Sequence, residues 1–381
     1  MKVFLQALVG QILFNLYIGR RGGQALSHHK IAKWTLYALL IVEFSIYLVG
    51  FCFHRSLHLG LQEEIMQICS TWFIISIYLT MGLMLIDGIR LIDHFTGRRI
   101  PRWSEVTKER IKLLLVGAFI VVAVFLGWLG YHTVSNPVVT YQTIYLNKPI
   151  DNQSNRLRVV LLTDIHMSES ITKNYIERMV NLVNDQHPDL ILVGGDMFDF
   201  YSWYGYKDNI PALYKSMKAP LGVYYVMGNH EYRADTQRKK DWVSIVGGTL
   251  LIDSVVSPGN VINLIGRDDY TNYRTRAPLK ELVDRIPKSH KQLPVVLLEH
   301  QPRYLDSLQI NNIDLGLYGH THDGQIFPFA YAVKITFEKA YGYLRKGKSQ
   351  IYVSSGFGAA GPAMRIFTKS EVVVIDLLGR S

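Results

Sequence analysis

L-R-V-V-L-L-T-D-I-H at residues 157–166 is an apolar run that ends in an aspartate and a histidine, and the rest of the fold is read outward from this junction. Leu157 to Thr163 has the composition of a buried strand, so Asp164 and His166 fall where that strand leaves the sheet. The same design recurs four times. Leu190 to Gly194 runs into G-G-D (Asp196), Gly222 to Met227 into G-N-H-E (Asn229, His230), Pro294 to Leu298 into E-H-Q-P (His300), and Ile313 to Tyr318 into G-H-T-H (His320, His322). Helical stretches near 172–186, 209–217, 235–246, 277–286 and 301–308 alternate with these runs. That order predicts an α/β sheet with its functional side chains at the C-terminal ends of strands. Glycines at 194, 195, 228 and 319 sit where backbone must turn sharply or approach an ion.

The side chains delivered by the five blocks are carboxylate, imidazole and one amide oxygen, with no thiolate. Such a set suits manganese, iron or zinc. It is large enough for two divalent ions sharing a carboxylate, spaced roughly 3.5–4 Å apart as in two-metal phosphoryl-transfer sites. Two such cations would lower the pKa of a bridging water, giving hydroxide as nucleophile, and would neutralise the phosphoryl oxygens. His230 follows directly on Asn229 and is placed to protonate the leaving oxygen. Asp199, Glu231 and Asp323 are candidates to orient these groups, or are plain solvated carboxylates. A lone D-x-H or G-D means little, but five blocks in order are not a product of packing. The other histidines, 28, 29, 54, 58, 94, 132, 187 and 290, have no ligand spacing behind a strand.

With its five blocks in this order, the stretch 137–378 resembles the calcineurin-like metallophosphoesterases, in their bacterial membrane-associated branch. The segments S-S-G-F-G (354–358) and G-P-A-M-R (361–365) belong to the same likeness. The resemblance implies a four-layer αββα sandwich. It also implies Asp164, His166 and His322 as ligands of one metal and Asn229, His300 and His320 as ligands of the other. Asp196 is then the bridge and His230 the catalytic histidine. One departure is Asp323, where the branch usually has glycine after G-H-T-H. A carboxylate there would repel an anionic substrate or recruit a cation, without touching the metal core.

The first third of the chain is a different material. Apolar stretches at about 3–19, 34–53, 65–86 and 113–131 are each near the ~20 residues that cross a bilayer as a helix. The expected architecture is therefore a bundle of about four transmembrane helices over 1–131, a linker with an early edge strand over 132–156 (Val138 to Leu146), and the metal-binding domain. Glu43 lies inside the second stretch, either as an ion or substrate contact or hydrogen-bonded to a neighbouring helix. The first stretch carries Gln6, Gln11 and Asn15, and no small-x-small cleavage site follows Arg20 and Arg21. Arg20, Arg21, Lys30 and Lys33 mark the first loop as basic, and Arg90, Arg98, Arg99, Arg102, Lys108, Arg110 and Lys112 the third; the second has Arg55 against Glu63 and Glu64. Positive loops stay in the cytoplasm. The chain is thus expected in the cytoplasmic membrane as a multi-pass protein with the metal domain on the extracytoplasmic side.

Of the 381 residues, the excess of cations that gives a formal charge of +10 is concentrated in these loops, which points to anionic lipid headgroups and not to nucleic acid. Cys52 and Cys69 fall in or beside predicted spans, so no disulfide holds the domain. For substrate contacts the candidates are Arg267, Arg274, Arg276, Tyr204 and Arg365, in loops where arginines mix with aromatic rings. Such loops suit a phosphorylated small molecule or lipid headgroup, although the rings read equally well as a hydrophobic cap. A further stretch, F-P-F-A-Y (327–331) through Lys334, Phe337, Lys339 and Tyr341, has the aromatic-plus-lysine character of a membrane interface or of ordinary loop packing. Three functions remain open on sequence: a membrane-anchored phosphoesterase cleaving a phosphodiester, phosphomonoester or pyrophosphate, lipid-linked or not; a non-catalytic membrane sensor or scaffold for phosphorylated ligands; and a cytoplasmic-facing nucleotide-lipid pyrophosphatase. Oligomeric state is not encoded legibly.

Overall fold

The computed structural model describes residues 2–53, 56–97, 103–207 and 209–380. His54, Arg55, Arg98, Arg99 and Arg102, named above, lie outside the described residues. The chain divides into two compact units, Met1–Tyr131 and His132–Ser381.

The first unit is helical: α1 (Lys2–Ala25), α2 (Lys30–Phe53), α3 (Leu59–Phe95) and α4 (Glu105–Ser135), the last running on into the second unit. Three stretches within these helices, Lys30–Gly50, Gly60–Phe95 and Glu105–Ser135, are long and apolar enough to cross a membrane. Among the described residues the expected count of about four is thereby corrected to three. α1 has the length, but it carries Gln11, Asn15, Arg20 and Arg21 within the helix, and these lower its apolar content below that of a lipid-exposed span. Gln11 and Asn15 are used inside the unit. Asn15 Nδ2 donates to Glu43 Oε2 at 2.8 Å and Gln11 Nε2 to the same oxygen at 3.4 Å, so Glu43 is tied to a neighbouring helix.

The second unit is built from β1 (Val138–Tyr145), β2 (Arg156–Leu162), α5 (Lys173–Asn184), β3 (Leu190–Val193), α6 (Ile210–Lys215), β4 (Val223–Tyr225), α7 (Thr236–Ile245) and β5 (Thr249–Leu250). It continues with β6 (Ser254–Val256), β7 (Asn263–Gly266), α8 (Leu279–Asp284), β8 (Val295–Leu298), α9 (Asp306–Ile310), β9 (Leu315–Tyr318), α10 (Phe329–Thr336), β10 (Gly342–Lys346), β11 (Ser349–Val353) and β12 (Glu371–Leu378). The strands form two six-stranded sheets, ordered β1-β12-β2-β3-β4-β5 and β10-β11-β9-β8-β7-β6. β2, β3 and β4 run parallel in the first sheet, and β8 and β9 run parallel in the second.

Strict alternation of apolar side chains explains the layering. Leu157, Val159 and Leu161 of β2, Leu190 and Leu192 of β3, Val373, Ile375 and Leu377 of β12, Val296 and Leu298 of β8, and Leu315 and Leu317 of β9 share one buried cluster. That cluster is the core between the sheets, because period-two alternation sends every second side chain to the same face. The intervening Val295, Leu297 and Tyr318 point the other way and pack with Leu279 and Leu282 of α8 and Leu308 of α9. On the first sheet α5 packs near β12 and buries Tyr175, Ile176, Met179, Val180 and Val183 at helical spacing. The result is the expected αββα sandwich. All five ligand-bearing blocks leave parallel strands at their C-terminal ends, three from one sheet and two from the other.

Leu317→Ala should lower the unfolding free energy by about 2–5 kcal/mol, the cost of a cavity at a site with no room to collapse, since Leu317 is fully buried between the sheets. The denaturation midpoint of the detergent-purified protein checks this. The same truncation at exposed Ile310 should change it by no more than about 0.5 kcal/mol.

Candidate metal centre

Asp164 and His166 leave β2, Asp196 leaves β3, Asn229 and His230 follow β4, His300 follows β8, and His320 and His322 follow β9. Asp164, His166, Asp196, His320 and His322 have φ between 51° and 73°, a region that side chains with a Cβ rarely occupy. Such backbone is strained by roughly 1–3 kcal/mol per residue and persists only where the surroundings enforce it. Here the surroundings are the sheets on one side and a ring of backbone hydrogen bonds on the other. Glycine is required at two of the turns. A Cβ on Gly228 would stand 2.1 Å from Asp196 Oδ1, and one on Gly319 would stand 2.3 Å from Asp164 Oδ2.

These blocks converge. Asp164, His166 and His322 form one group able to hold a cation, and Asp196, His300 and His320 form another. His166 Nε2 and His322 Nε2 are 3.0 Å apart, and His322 Nε2 is 3.5 Å from Asp164 Oδ1. In the second group His300 Nε2 lies 3.2 Å from Asp196 Oδ2, 3.2 Å from Asn229 Oδ1 and 3.2 Å from His320 Nδ1. Asp196 Oδ2 is also 3.7 Å from His166 Nε2, so this one carboxylate touches both groups. His300 Nδ1 donates to the Gly194 carbonyl at 2.8 Å, which fixes the ring with its Nε2 facing the cluster. Burial alone would lower the His300 pKa, but Asp196 and Asp164 outweigh it and raise the value well above that of an ordinary imidazole.

Electrostatics fit a cation-binding centre. Asp164, His166 and His300 are fully buried, and Asp196 nearly so. Burial, reinforced by the charge of His300, pushes His320 down to about 3, and burial with His166 pushes His322 well below the ordinary imidazole value. Both rings are therefore unprotonated, with lone pairs available. Burial disfavours the charged form of Asp196, yet His300 and His230 hold its carboxyl well below the usual carboxylate range. Nitrogen lone pairs and carboxylate oxygens crowded to about 3 Å in a buried pocket repel one another unless positive charge lies between them, and this donor set suits divalent ions.

His230 stands beside this centre. Its Nδ1 donates to the Asp199 carbonyl at 2.5 Å and lies 3.2 Å from Asp199 Oδ1, while its Nε2 is 3.9 Å from Asp196 Oδ2. Burial alone would lower its pKa; Asp196 and Asp199 reverse that and raise it. Asp199 also lies 3.3 Å from His166 Nδ1. Although burial works the other way, His166 and His230 hold its carboxyl well below the carboxylate range. Asp199 thus orients two imidazoles at once. Glu231, fully buried, accepts from three backbone amides: Asp196 at 2.8 Å, Gly228 at 2.7 Å and Phe198 at 3.1 Å.

Sequence reasoning missed Lys239. This lysine of α7 is fully buried and donates to the carbonyls of His230 at 2.7 Å and Phe200 at 2.8 Å. Nothing in R-K-K-D marks it, because a run of cations on a helix normally faces water.

The substrate candidates fare differently. Arg365 is fully buried, with its donors directed at the carbonyls of Gly358, Ser355 and His322, and Nη2 lies 3.0 Å from His322 Nδ1. It holds the loops that carry His322 and Ser355, with its donors spent on their carbonyls. Tyr204 is buried, in the aromatic cap where Trp242 Nε1 donates to Gly205 O and Phe198 meets Trp242 edge-on. Arg276 and Arg267 lie 2.5 Å and 3.5 Å from the carboxylate of buried Glu299 and compensate its charge. Arg274 alone of the five is exposed, bonded to the Tyr273 hydroxyl at 2.8 Å.

Comparison with known proteins agrees with this picture. Residues 157–324 match the family model described as calcineurin-like phosphoesterase. A metallophosphoesterase of Helicobacter pylori is 31% identical over 93% of this chain and 93% of its own length. One of Campylobacter jejuni is 28% identical over 97% and 96%. A bovine protein named as a transmembrane protein with a metallophosphoesterase domain is 26% identical over 99% of this chain and 88% of its own length.

Glu231→Gln should cost about 1–3 kcal/mol, because an amide presents a donor to at least one of three buried N–H groups. The denaturation midpoint should fall and bound metal should fall with it, by elemental analysis.

Proposed function

The chain belongs to the calcineurin-like metallophosphoesterases, and we propose from this and from the buried cluster that it is a membrane-anchored, two-metal hydrolase of a phosphodiester, phosphomonoester or pyrophosphate bond. The observation that carries the proposal is the convergence of two aspartates, four imidazoles and Asn229 at the strand ends, with Asp196 in reach of both groups. Asp164, His166 and His322 would hold one divalent ion, Asn229, His300 and His320 the other, and Asp196 both. Manganese, iron and zinc all suit these donors. When bound, the ions supply Lewis acidity toward water and toward the phosphoryl oxygens.

The chain's own residues do the remainder. His230 is held by Asp199 with Nε2 turned toward the cluster, and its raised pKa favours a proton that can pass to the leaving oxygen. Glu231 and Lys239 fix the two loops that carry Asp196 and His230. With metal-activated water as nucleophile, the reaction requires no serine or cysteine nucleophile.

The three apolar stretches and the relatives named as transmembrane proteins support membrane association. The excess of arginine and lysine before α4 supports a domain on the extracytoplasmic face of the cytoplasmic membrane.

Asp196→Asn should abolish hydrolysis and reduce bound metal while the fold survives, because an amide cannot supply the shared negative charge. Normal turnover with two metals per chain would remove the two-metal reading.

His230→Ala should keep its metal and lose a factor of roughly 10²–10⁴ on esters with poor leaving groups. Activated aryl esters should lose less; equal losses would show that His230 is not the proton donor.

A reporter active only outside the cytoplasm should be active when fused after Ser381 and silent when fused near Arg99. The reverse pattern would place the cluster in the cytoplasm and favour nucleotide-linked lipid precursors as substrates.

A further inference from the structure

α10 buries none of its residues, although six of its eight side chains are apolar or aromatic. Phe329 is 49% exposed, Tyr331 63% and Ile335 87%, and neighbouring Phe367 is 70% exposed. Phe327 meets both Tyr331 and Phe367 edge-on, which joins these rings into one surface. Packing accounts for the end of this stretch, where Phe337 meets His320 and Tyr341 donates to Glu371, but not for the exposed side chains of α10. Phe367 holds φ at 61°, a strained backbone for an aromatic residue whose side chain nevertheless faces solvent. Lysines accompany the rings in sequence: Lys334 lies on α10, Lys339 follows it, and Lys369 lies two residues after Phe367 and 3.5 Å from Glu371, while the acidic Glu338 is neutralised by Lys346 at 2.7 Å.

This surface is continuous with the metal-type cluster. α10 begins a few residues after His322, and the parallel bridge Ile326–Ile366 with Gln325 Nε2 donating to the Ala360 and Pro362 carbonyls fixes the joint. At its other end Phe337 packs edge-on against His320, with ring centroids 5.5 Å apart. The helix is thus bracketed by two of the histidines of the cluster.

We propose that α10, with Phe327 and Phe367, seats in the headgroup–acyl boundary of a membrane containing anionic lipid, and that the adjacent cluster acts on phosphate esters of lipid headgroups presented there. Aromatic and aliphatic side chains accompanied by lysine are the composition that such a boundary takes up. A protein partner would bury the rings but has no need of the lysines, and three stretches of the chain are long and apolar enough to cross a membrane. The substrate part of the proposal rests on the phosphoesterase reading; the seating of α10 does not.

The test uses the full chain in vesicles of phosphatidylcholine and phosphatidylglycerol, with Cys52 and Cys69 replaced by serine. A nitroxide is attached at Ile335→Cys or, as a control, at exposed Ser289→Cys. The label at 335 should be accessible to oxygen and shielded from a water-soluble nickel chelate, and the label at 289 the reverse. Chelate access at 335 equal to that at 289 overturns the proposal. So does dipolar broadening between labels at 335, which would mean that a second copy covers the helix.

In parallel, hydrolysis of phosphatidic acid in vesicles is compared with that of glycerol 3-phosphate and p-nitrophenyl phosphate. The chain should prefer the vesicle-borne ester. The triple substitution F329S, Y331S, I335S should lower that rate roughly tenfold or more, the scale expected when several apolar side chains leave an interface, with soluble esters unchanged. Equal loss on all esters, or no preference for the lipid, overturns the substrate assignment. Absence of hydrolysis of all three monoesters by the unsubstituted chain would overturn the assignment of lipid phosphomonoesters as substrates. Absence of hydrolysis of bis-p-nitrophenyl phosphate and a nucleoside diphosphate as well would fail the phosphoesterase reading, while the label at 335 would still report the seating of α10.

Discussion

Two carboxylates, Asp164 and Asp196, lie buried at the end of a sandwich that excludes water from both, and the surrounding architecture follows from compensating them. An isolated buried carboxylate is costly enough to stay protonated or to recruit positive charge. Four imidazoles are brought to them, yet His320 and His322 are held unprotonated, so these rings offer lone pairs and little charge. Positive charge comes from His300 and His230, whose pKa values are raised, and the remaining lone pairs form a donor set consistent with divalent cations. The same requirement explains why each of the five blocks ends a parallel strand, where the backbone leaves the sheet and side chains from both layers can meet.

Positioning falls to groups that touch no substrate. Glu231 gathers three amides, Asp164 accepts the His320 amide at 3.0 Å, Asp196 Oδ1 accepts the His230 amide at 2.8 Å, and Lys239 ties the carbonyls of His230 and Phe200. These bonds hold left-handed turns at residues that would not otherwise adopt them. Ligand geometry is then set by backbone as much as by side-chain rotamers, and a small change such as a methyl at residue 228 or 319 is transmitted directly to a carboxylate.

Much of this was legible in the sequence, for identifiable reasons. Strands bearing ligands announce themselves because apolar alternation and residues of metal-binding type occur side by side, as in residues 157–166. An arginine beside tyrosines looks the same in sequence whether it meets a phosphate or a buried carboxylate. Arg267 and Arg276 in fact neutralise Glu299, the residue just before His300. Arg365 and Tyr204 are buried, which loop composition does not reveal. Lys239 was invisible because burial of a lysine depends on partners supplied by distant segments. The first helix has the length of a span, but the Gln11 and Asn15 that weaken it in sequence are used within the bundle, where both donate to Glu43.

The central claim is that two metal ions share Asp196. Anomalous scattering from crystals of the manganese-loaded protein, recorded on both sides of the manganese edge, tests it most directly. Two peaks roughly 3.5–4 Å apart should appear, one beside Asp164, His166 and His322, the other beside Asn229, His300 and His320, with Asp196 between them. A single peak, or peaks away from Asp196, would contradict the account.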